Sequence, residues 1–544
     1  MRCFRSVALV AASAATACAM LAAAAGPAQF AQAAVGAQRA AASSSWGTAQ
    51  VIRGPGGTVG AIWAMSCAGP GDCSAGGDYS GSGGEEAFVV SETNGHWGKA
   101  EEVPNIAALN TGGLAILGAI SCTSAGNCSA GGIYSVSSTS DNQTFVVTQK
   151  NGTWGKAEEV PGTAKLNAGD TGGVNTVSCG SAGNCSAGGI YLDASGDLQA
   201  FVVSQSGGTW GKAVEAPGTA TLNTGGNASL ISVSCRAAGS CTAVGNYSDQ
   251  PGSGEDQAFV LTQAHGTWGR AEELPGIGTL SGDGMSSMQS VSCGSAGNCS
   301  AIGTEWNGTT NVDQAFVAKQ ASGTWGKPQI VPGITALPGE QGSFAGPEDC
   351  YDGNCIAISC PSAGNCTATG SYLNGTSTQA FAVTQTKGTW GKAVAMPGLA
   401  SLNVGGDAEV YAVSCGAAGD CSAGGYYKSS KTASGPQQAF VITQADGTWG
   451  KAIEVPGTAK LDTADFGYVY ALSCGSASDC VAGGLYDGTP SAGAFVVARP
   501  ASQTASPRAV SGLGAPVPDA SRGIRALVRL PAVRAATRPP WPGR

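Results

Sequence analysis

Sulfur is the chemistry this chain repeats most often. Ser-Cys-x5-Cys occurs at Cys67 and Cys73, Cys122 and Cys128, Cys179 and Cys185, Cys235 and Cys241, Cys293 and Cys299, Cys360 and Cys366, Cys415 and Cys421, and Cys474 and Cys480, at intervals of 55 to 67 residues. Cys350 and Cys355 add a ninth close pair, so every cysteine beyond residue 18 has a near neighbour. Paired thiols either ligate a metal or oxidise. The spacing is wrong for structural zinc, and only His96 and His265 could supplement it. The pattern therefore predicts nine local disulfides and an oxidising compartment. By restricting the unfolded chain, each would contribute about 2 kcal/mol. No G-x-S-x-G, H-E-x-x-H, P-loop or dinucleotide fingerprint accompanies them.

The elements that hold these pairs recur with them. In the clean copy Ser178–Gly218, four short strands are expected: Asn175–Cys179, Cys185–Tyr191, the β-branched and aromatic Gln199–Gln205, and Thr209–Pro217. Gly207-Gly208 reads as a tight hairpin turn, replaced elsewhere by Asn94-Gly95, Asn151-Gly152 or Asp446-Gly447. Lys and Pro on the last strand suit an exposed edge. Lys212 and its equivalents, with the Glu pairs at 101–102, 158–159 and 272–273, read as a solvated rim. The recurring Leu of Pro-Gly-x-x-x-Leu-Asn-x-Gly-Gly, such as Leu222, would pin each inter-unit loop.

Four-stranded repeats of this length form β-propellers, one unit per blade. Trp-Gly occurs eight times, first at Trp46 with no Cys pair before it. The last Cys pair is followed by Ala494-Phe495-Val496-Val497 but by no Trp-Gly. An orphan outer strand at one end and a missing one at the other are what ring closure requires; an open solenoid would want caps instead. The expectation is an all-β, eight-bladed propeller with one disulfide per blade, its last blade completed by the N-terminal strand.

The unit SCxSxGNCxAxGxY…QAFVVTQxNGTWGK resembles the Cys-paired propeller repeats of secreted actinobacterial proteins over residues 46–499. The hairpin Asp446-Gly447-Thr448-Trp449 is similar to a shortened Asp-box of sialidase-like and BNR-repeat propellers, although most copies lack its Asp. That second resemblance would imply glycoside hydrolysis by a cluster of arginines, a Tyr/Glu nucleophile pair and an acid. The repeat body holds only Arg53, Arg236, Arg270 and Arg499, and Arg270 stands where other copies have Lys.

Function is expected where copies disagree. Four residues before each first Cys the sequence reads Trp63, Gly118, Asn175, Ile231, Gln289, Ile356, Tyr411 and Tyr470. Ring closure would make the three aromatics neighbours at the channel mouth, able to stack on a sugar or an apolar side chain. Ordinary packing between blades is the alternative. The insertion 338–356 carries Cys350–Cys355 with Glu340, Glu348, Asp349 and Asp352. It reads either as a recognition loop whose oxygens could hold Ca2+ or as a tolerated surface insertion.

Residues 1–33, with Arg2, Arg5 and an Ala-rich apolar run, read as a secretory signal peptide and 34–45 as a linker. Residues 46–499 hold 17 Lys and Arg against 35 Asp and Glu, which argues against nucleic acid. Residues 500–544, with seven Arg and abundant Pro, read as a disordered basic tail. The resulting expectation is a secreted, monomeric, non-catalytic binding module without a membrane span or cofactor. Its partner would be an extracellular glycan or protein. A sialidase-like hydrolase and a purely structural surface protein are the alternatives.

Overall fold

The computed structural model describes residues 45–499, except 56–59, 82, 138–140, 251–255, 283, 310–311, 339–355, 433–434, 464–465 and 489–491. In the third repeat the inner strand Gly172–Ser181 pairs with Asn184–Leu192, which pairs with Leu198–Ser206, all antiparallel. The outer strand departs from the expectation of one continuous segment. It is split into Thr209–Trp210 and Val214–Glu215, both paired with the third strand. The break at Gly-Lys-Ala turns Ala213 inward, where its amide donates to the Pro161 carbonyl of the preceding blade at 2.7 Å. One-turn helices such as Thr219–Leu222, which the strand pattern did not announce, carry the chain to the next inner strand.

Eight such sheets form an eight-bladed β-propeller, each blade with one disulfide across its first two strands. The bonds are Cys67–Cys73, Cys122–Cys128, Cys179–Cys185, Cys235–Cys241, Cys293–Cys299, Cys360–Cys366, Cys415–Cys421 and Cys474–Cys480, with Cα atoms 3.8–4.1 Å apart. These are the eight repeat pairs expected from spacing. The second cysteine of every pair is buried: Cys73, Cys128, Cys185, Cys241, Cys299, Cys366, Cys421 and Cys480. Each bond staples the first two strands of its own blade. The ninth expected bond, Cys350–Cys355, lies outside the described residues.

In the eighth blade the outer strand is Gln50–Val51, which pairs with Phe495 and Val496. The apolar core lies between blades. Each third strand buries one Phe fully, from Phe88 to Phe495. Phe145, for example, packs with Ala87 and Val89 of the blade before it. There are eight such clusters among the described residues, and one joins Ala471, Val481 and Val496 of the last blade to Ile62 and Phe88 of the first.

Three belts of hydrogen bonds run around these interfaces. The innermost explains why every pair is written Ser-Cys. The Cys235 amide donates to Ser178 Oγ of the preceding blade at 2.9 Å, and the same bond recurs at every junction. At the eighth junction Cys67 donates to Ser473 at 2.9 Å. The middle belt uses the Gln near the end of the third strand in blades two to seven. Gln205 donates to Thr148 Oγ1 at 2.7 Å and accepts from Ser129 Oγ at 3.2 Å. The outer belt is the Ala-to-Pro bond above, so the rim is not merely solvated. Its lysines are exposed, but Glu102, Glu273 and Glu454 accept bonds from Tyr79, Tyr247 and Tyr427 of their own blades.

Candidate functional site

A backbone irregularity builds the site. In seven inner strands the pairing register slips by one residue, and the skipped residues are Trp63, Gly118, Asn175, Ile231, Gln289, Tyr411 and Tyr470. A bulge of this kind bends the strand and re-aims one side chain. It also drives the strand's carbonyl towards its partner, which is why the second Gly of each Gly-Gly is needed. A Cβ on Gly189 would lie 1.9 Å from the Gly173 oxygen. The seven skipped residues, with Ile356, line a central cavity of about 540 Å3.

The three aromatics expected to meet are adjacent. Trp63 and Tyr470 have ring centroids 4.5 Å apart, and Tyr411 stacks on Tyr470 at 5.4 Å. The Trp63 indole N–H donates to Asp78 Oδ1 of its own blade. Burial pushes the Asp78 carboxyl up, partly opposed by that indole bond. Glu340, Glu348, Asp349 and Asp352 lie outside the described residues, and with them the Ca2+ reading. His265 holds a left-handed turn position, φ 51°, and His96 bonds the Asn94 carbonyl; neither lines the cavity.

A second tier of rings lies outside the column of residues four before each first Cys. Tyr468 stacks on Tyr470 at 5.4 Å and 12°, Tyr426 meets Tyr468 edge-on at 5.0 Å, and half-exposed Phe466 lies 6.4 Å from Tyr468. These rings, with Asp407 and Glu409, line a second cavity of about 610 Å3. Tyr411 and Tyr470 wall both cavities. The signal was available in the repeat. At the place of Glu409 and Tyr468 the other described copies have Ala61, Ile116, Gly173, Ser229 and Ser287. At the place of Tyr426 blades two and three have Ile133 and Ile190.

Two carboxylates and one amide hold the tyrosines. The Tyr426 hydroxyl donates to Asp407 Oδ1 at 3.1 Å, that of Tyr411 bonds Glu409, and that of Tyr468 donates to Gln437 Oε1. Burial, reinforced by Glu409, pushes Tyr411 and Tyr426 well above the usual phenol range; burial does the same for Tyr468. All three stay neutral donors. No Lys, Arg or His is among the described residues lining either cavity. Arg499 is buried elsewhere, donating to Ser422 Oγ. The described residues contain no group of three or more His, Cys, Asp or Glu placed to hold a metal, and no helix among them is long and apolar enough to cross a membrane.

No protein-family model and no curated protein matches the sequence. Among solved structures the chain is similar to YCF48 from Cyanidioschyzon merolae, at 11% identity over 83% of this chain and 98% of that one, with a TM-score of 0.39. It is also similar to the Hadza microbial sialidase Hz136, at 12% identity over 77% and 74% with a TM-score of 0.32. A subtype N11 neuraminidase-like protein from a flat-faced bat isolate gives 11% over 59% and 86% with a TM-score of 0.31. At such identities and scores the likeness says nothing of the pocket's chemistry.

Proposed function

We propose that this protein is a non-catalytic extracellular module that binds a glycan at the channel mouth between blades seven, eight and one. One observation carries the reading. Six aromatic residues line two adjoining cavities, while the same strand positions in blades two to five hold none. Aromatic rings set in a concave, partly polar site suit sugar rings, which present apolar faces and hydroxyl edges. Disulfide density fits the oxidising, extracellular setting in which such a ligand is met.

The test is a glycan array run beside a glycosidase panel. Tyr470→Ala and Tyr411→Ala are expected to lower glycan affinity about tenfold or more each while the thermal midpoint holds. A blank array with well-folded protein overturns the glycan reading. Hydrolysis is the second reading, favoured by the hydrogen-bonded Tyr411 and Glu409 beside Asp407. The absence of arginine from the described cavity lining argues against a carboxylated sugar as its substrate. Turnover of any glycoside that disappears in Asp407→Asn would establish it over binding alone.

A further inference from the structure

The central cavity is encircled. Its lining draws a skipped residue from each of seven blades and Ile356 from the sixth, so all eight blades wall it and a ligand reaches it along the ring axis. In an eight-bladed ring, blades four apart face each other. The arc of Tyr411, Tyr470 and Trp63 in blades seven, eight and one therefore stands across the channel from Asn175, Ile231 and Gln289 in blades three, four and five.

The two sides offer different chemistry. On the arc, the Trp63 indole N–H is engaged by Asp78 and the Tyr411 hydroxyl by Glu409, so these rings offer a ligand their apolar surface. On the far side Asn175 Nδ2 donates to the Leu230 carbonyl at 3.0 Å and Gln289 Nε2 to Ser287 Oγ at 2.9 Å. Each amide is thus anchored by its nitrogen, and its oxygen is left to accept. The Thr176 and Ser232 hydroxyls, also in the lining, accept from the Val233 and Val291 amides at 3.1 and 3.2 Å, which leaves their protons to donate. No Asp, Glu, Lys, Arg or His is among the described lining residues. A charged group inserted there would lose water without gaining a counter-charge.

Resting on the glycan reading above, we propose that the central cavity takes the terminal sugar of an uncharged glycan chain, inserted end-on. One face of that sugar lies on the arc of Trp63, Tyr470 and Tyr411, and its hydroxyl or acetamido N–H groups donate to Asn175 and Gln289 across the channel. A cavity of about 540 Å3 has room for a terminal pyranose ring. Because the wall is closed all round, a chain enters only by an end, and its inner sugars lie outside, where the second cavity adjoins through Tyr411 and Tyr470.

Calorimetric titration of the full chain with short and long oligomers of glucose, mannose and N-acetylglucosamine, and with glucosamine and uronate oligomers as charged counterparts, tests this. A neutral series is expected to bind with one protein per chain at both lengths, and the charged oligomers at least tenfold more weakly. Gly118 borders the cavity, and a Cβ on it would meet nothing within 4 Å. Gly118→Phe should therefore plug the channel without crowding the fold, and abolish binding while the thermal midpoint holds. Gln289→Leu, which removes one acceptor, should lower affinity about tenfold and gives a second reading should Gly118→Phe fold poorly. Full affinity in a folded Gly118→Phe, or a number of bound proteins that grows with chain length, would overturn end-on insertion and leave the glycan reading standing. Tighter binding of a charged oligomer would overturn the preference for an uncharged chain. No binding of any oligomer by folded protein would overturn both readings.

Discussion

Blades two to five and the sector formed by blades seven, eight and one share one backbone and differ in what it displays. Both have the inner-strand bulge and the Ser–Cys hydrogen bond to the neighbouring blade. In the first region the bulge presents Gly118, Asn175, Ile231 and Gln289; in the second it presents Trp63, Tyr411 and Tyr470, backed by Glu409, Tyr426 and Tyr468. The bulge is thus a mounting point that the fold maintains in both regions and loads in one. A residue can change there without disturbing the ladder, because the register already skips it. Binding capacity can therefore vary while the ring does not.

The same sector also contains the junction where the first and last described strands meet, and the largest expected effect lies there. Deleting residues 46–52 removes the buried Trp46 and Ile52 together with the pairing to Phe495 and Val496. Loss of one buried Trp alone costs about 3–5 kcal/mol, so the urea midpoint should collapse. An unchanged midpoint would mean that blade eight holds without its outer strand, and the junction would be unlike every other.

A second difference at that junction is electrostatic. Where blades two to seven place Gln in the middle belt, blade one has Glu92, and the residues it would meet in blade eight are Val481 and Ala498. Glu92 is 5% exposed, and its Oε2 has no hydrogen-bond partner among the described residues. Burial, with repulsion from Asp479 and Asp72, pushes its carboxyl up to about 7. The folded state therefore binds this proton more tightly than the unfolded chain. Stability from this group is fully present below about pH 4.5 and is lost as pH rises through about 7. Glu92→Gln should match wild type near pH 5 and exceed it by about 2 kcal/mol at pH 8. Glu305, pushed up to about 7 in blade five, titrates in the same window. Only the difference between variant and wild type isolates the junction. A pH-independent difference would show that Glu92 is solvated.

Much of the ring could be read from the chain, because its determinants are local and repeated eight times: Cys pairs, turn glycines, β-branched third strands. The adjacency of Trp63, Tyr411 and Tyr470 followed from counting blades. What escaped were features whose cause lies in a neighbouring blade. The Ser before each Cys has its partner 56 to 68 residues later, or, for Ser473, 406 residues earlier. The Gly-Gly pair is small because a bulge on another strand crowds it. Glu409, Tyr426 and Tyr468 lie outside the one column of the repeat that spacing had picked out, although each departs from its own column as sharply as Tyr411 does.

The smallest effect makes the finest test of whether the junction between the last and first blades is otherwise ordinary. Ser178→Ala and Ser473→Ala each leave a cysteine amide, of Cys235 and Cys67, without its 2.9 Å acceptor. An orphaned, part-buried donor costs about 1–2 kcal/mol. If both junctions are held by the same inner belt, the two variants lose stability equally in urea titrations, and the double variant loses their sum, because the sites share no partner. A markedly smaller loss for Ser473→Ala would mean that the seam relies on its outer strand rather than on the belt. The strained member of the ring would then be the one that carries the aromatic site.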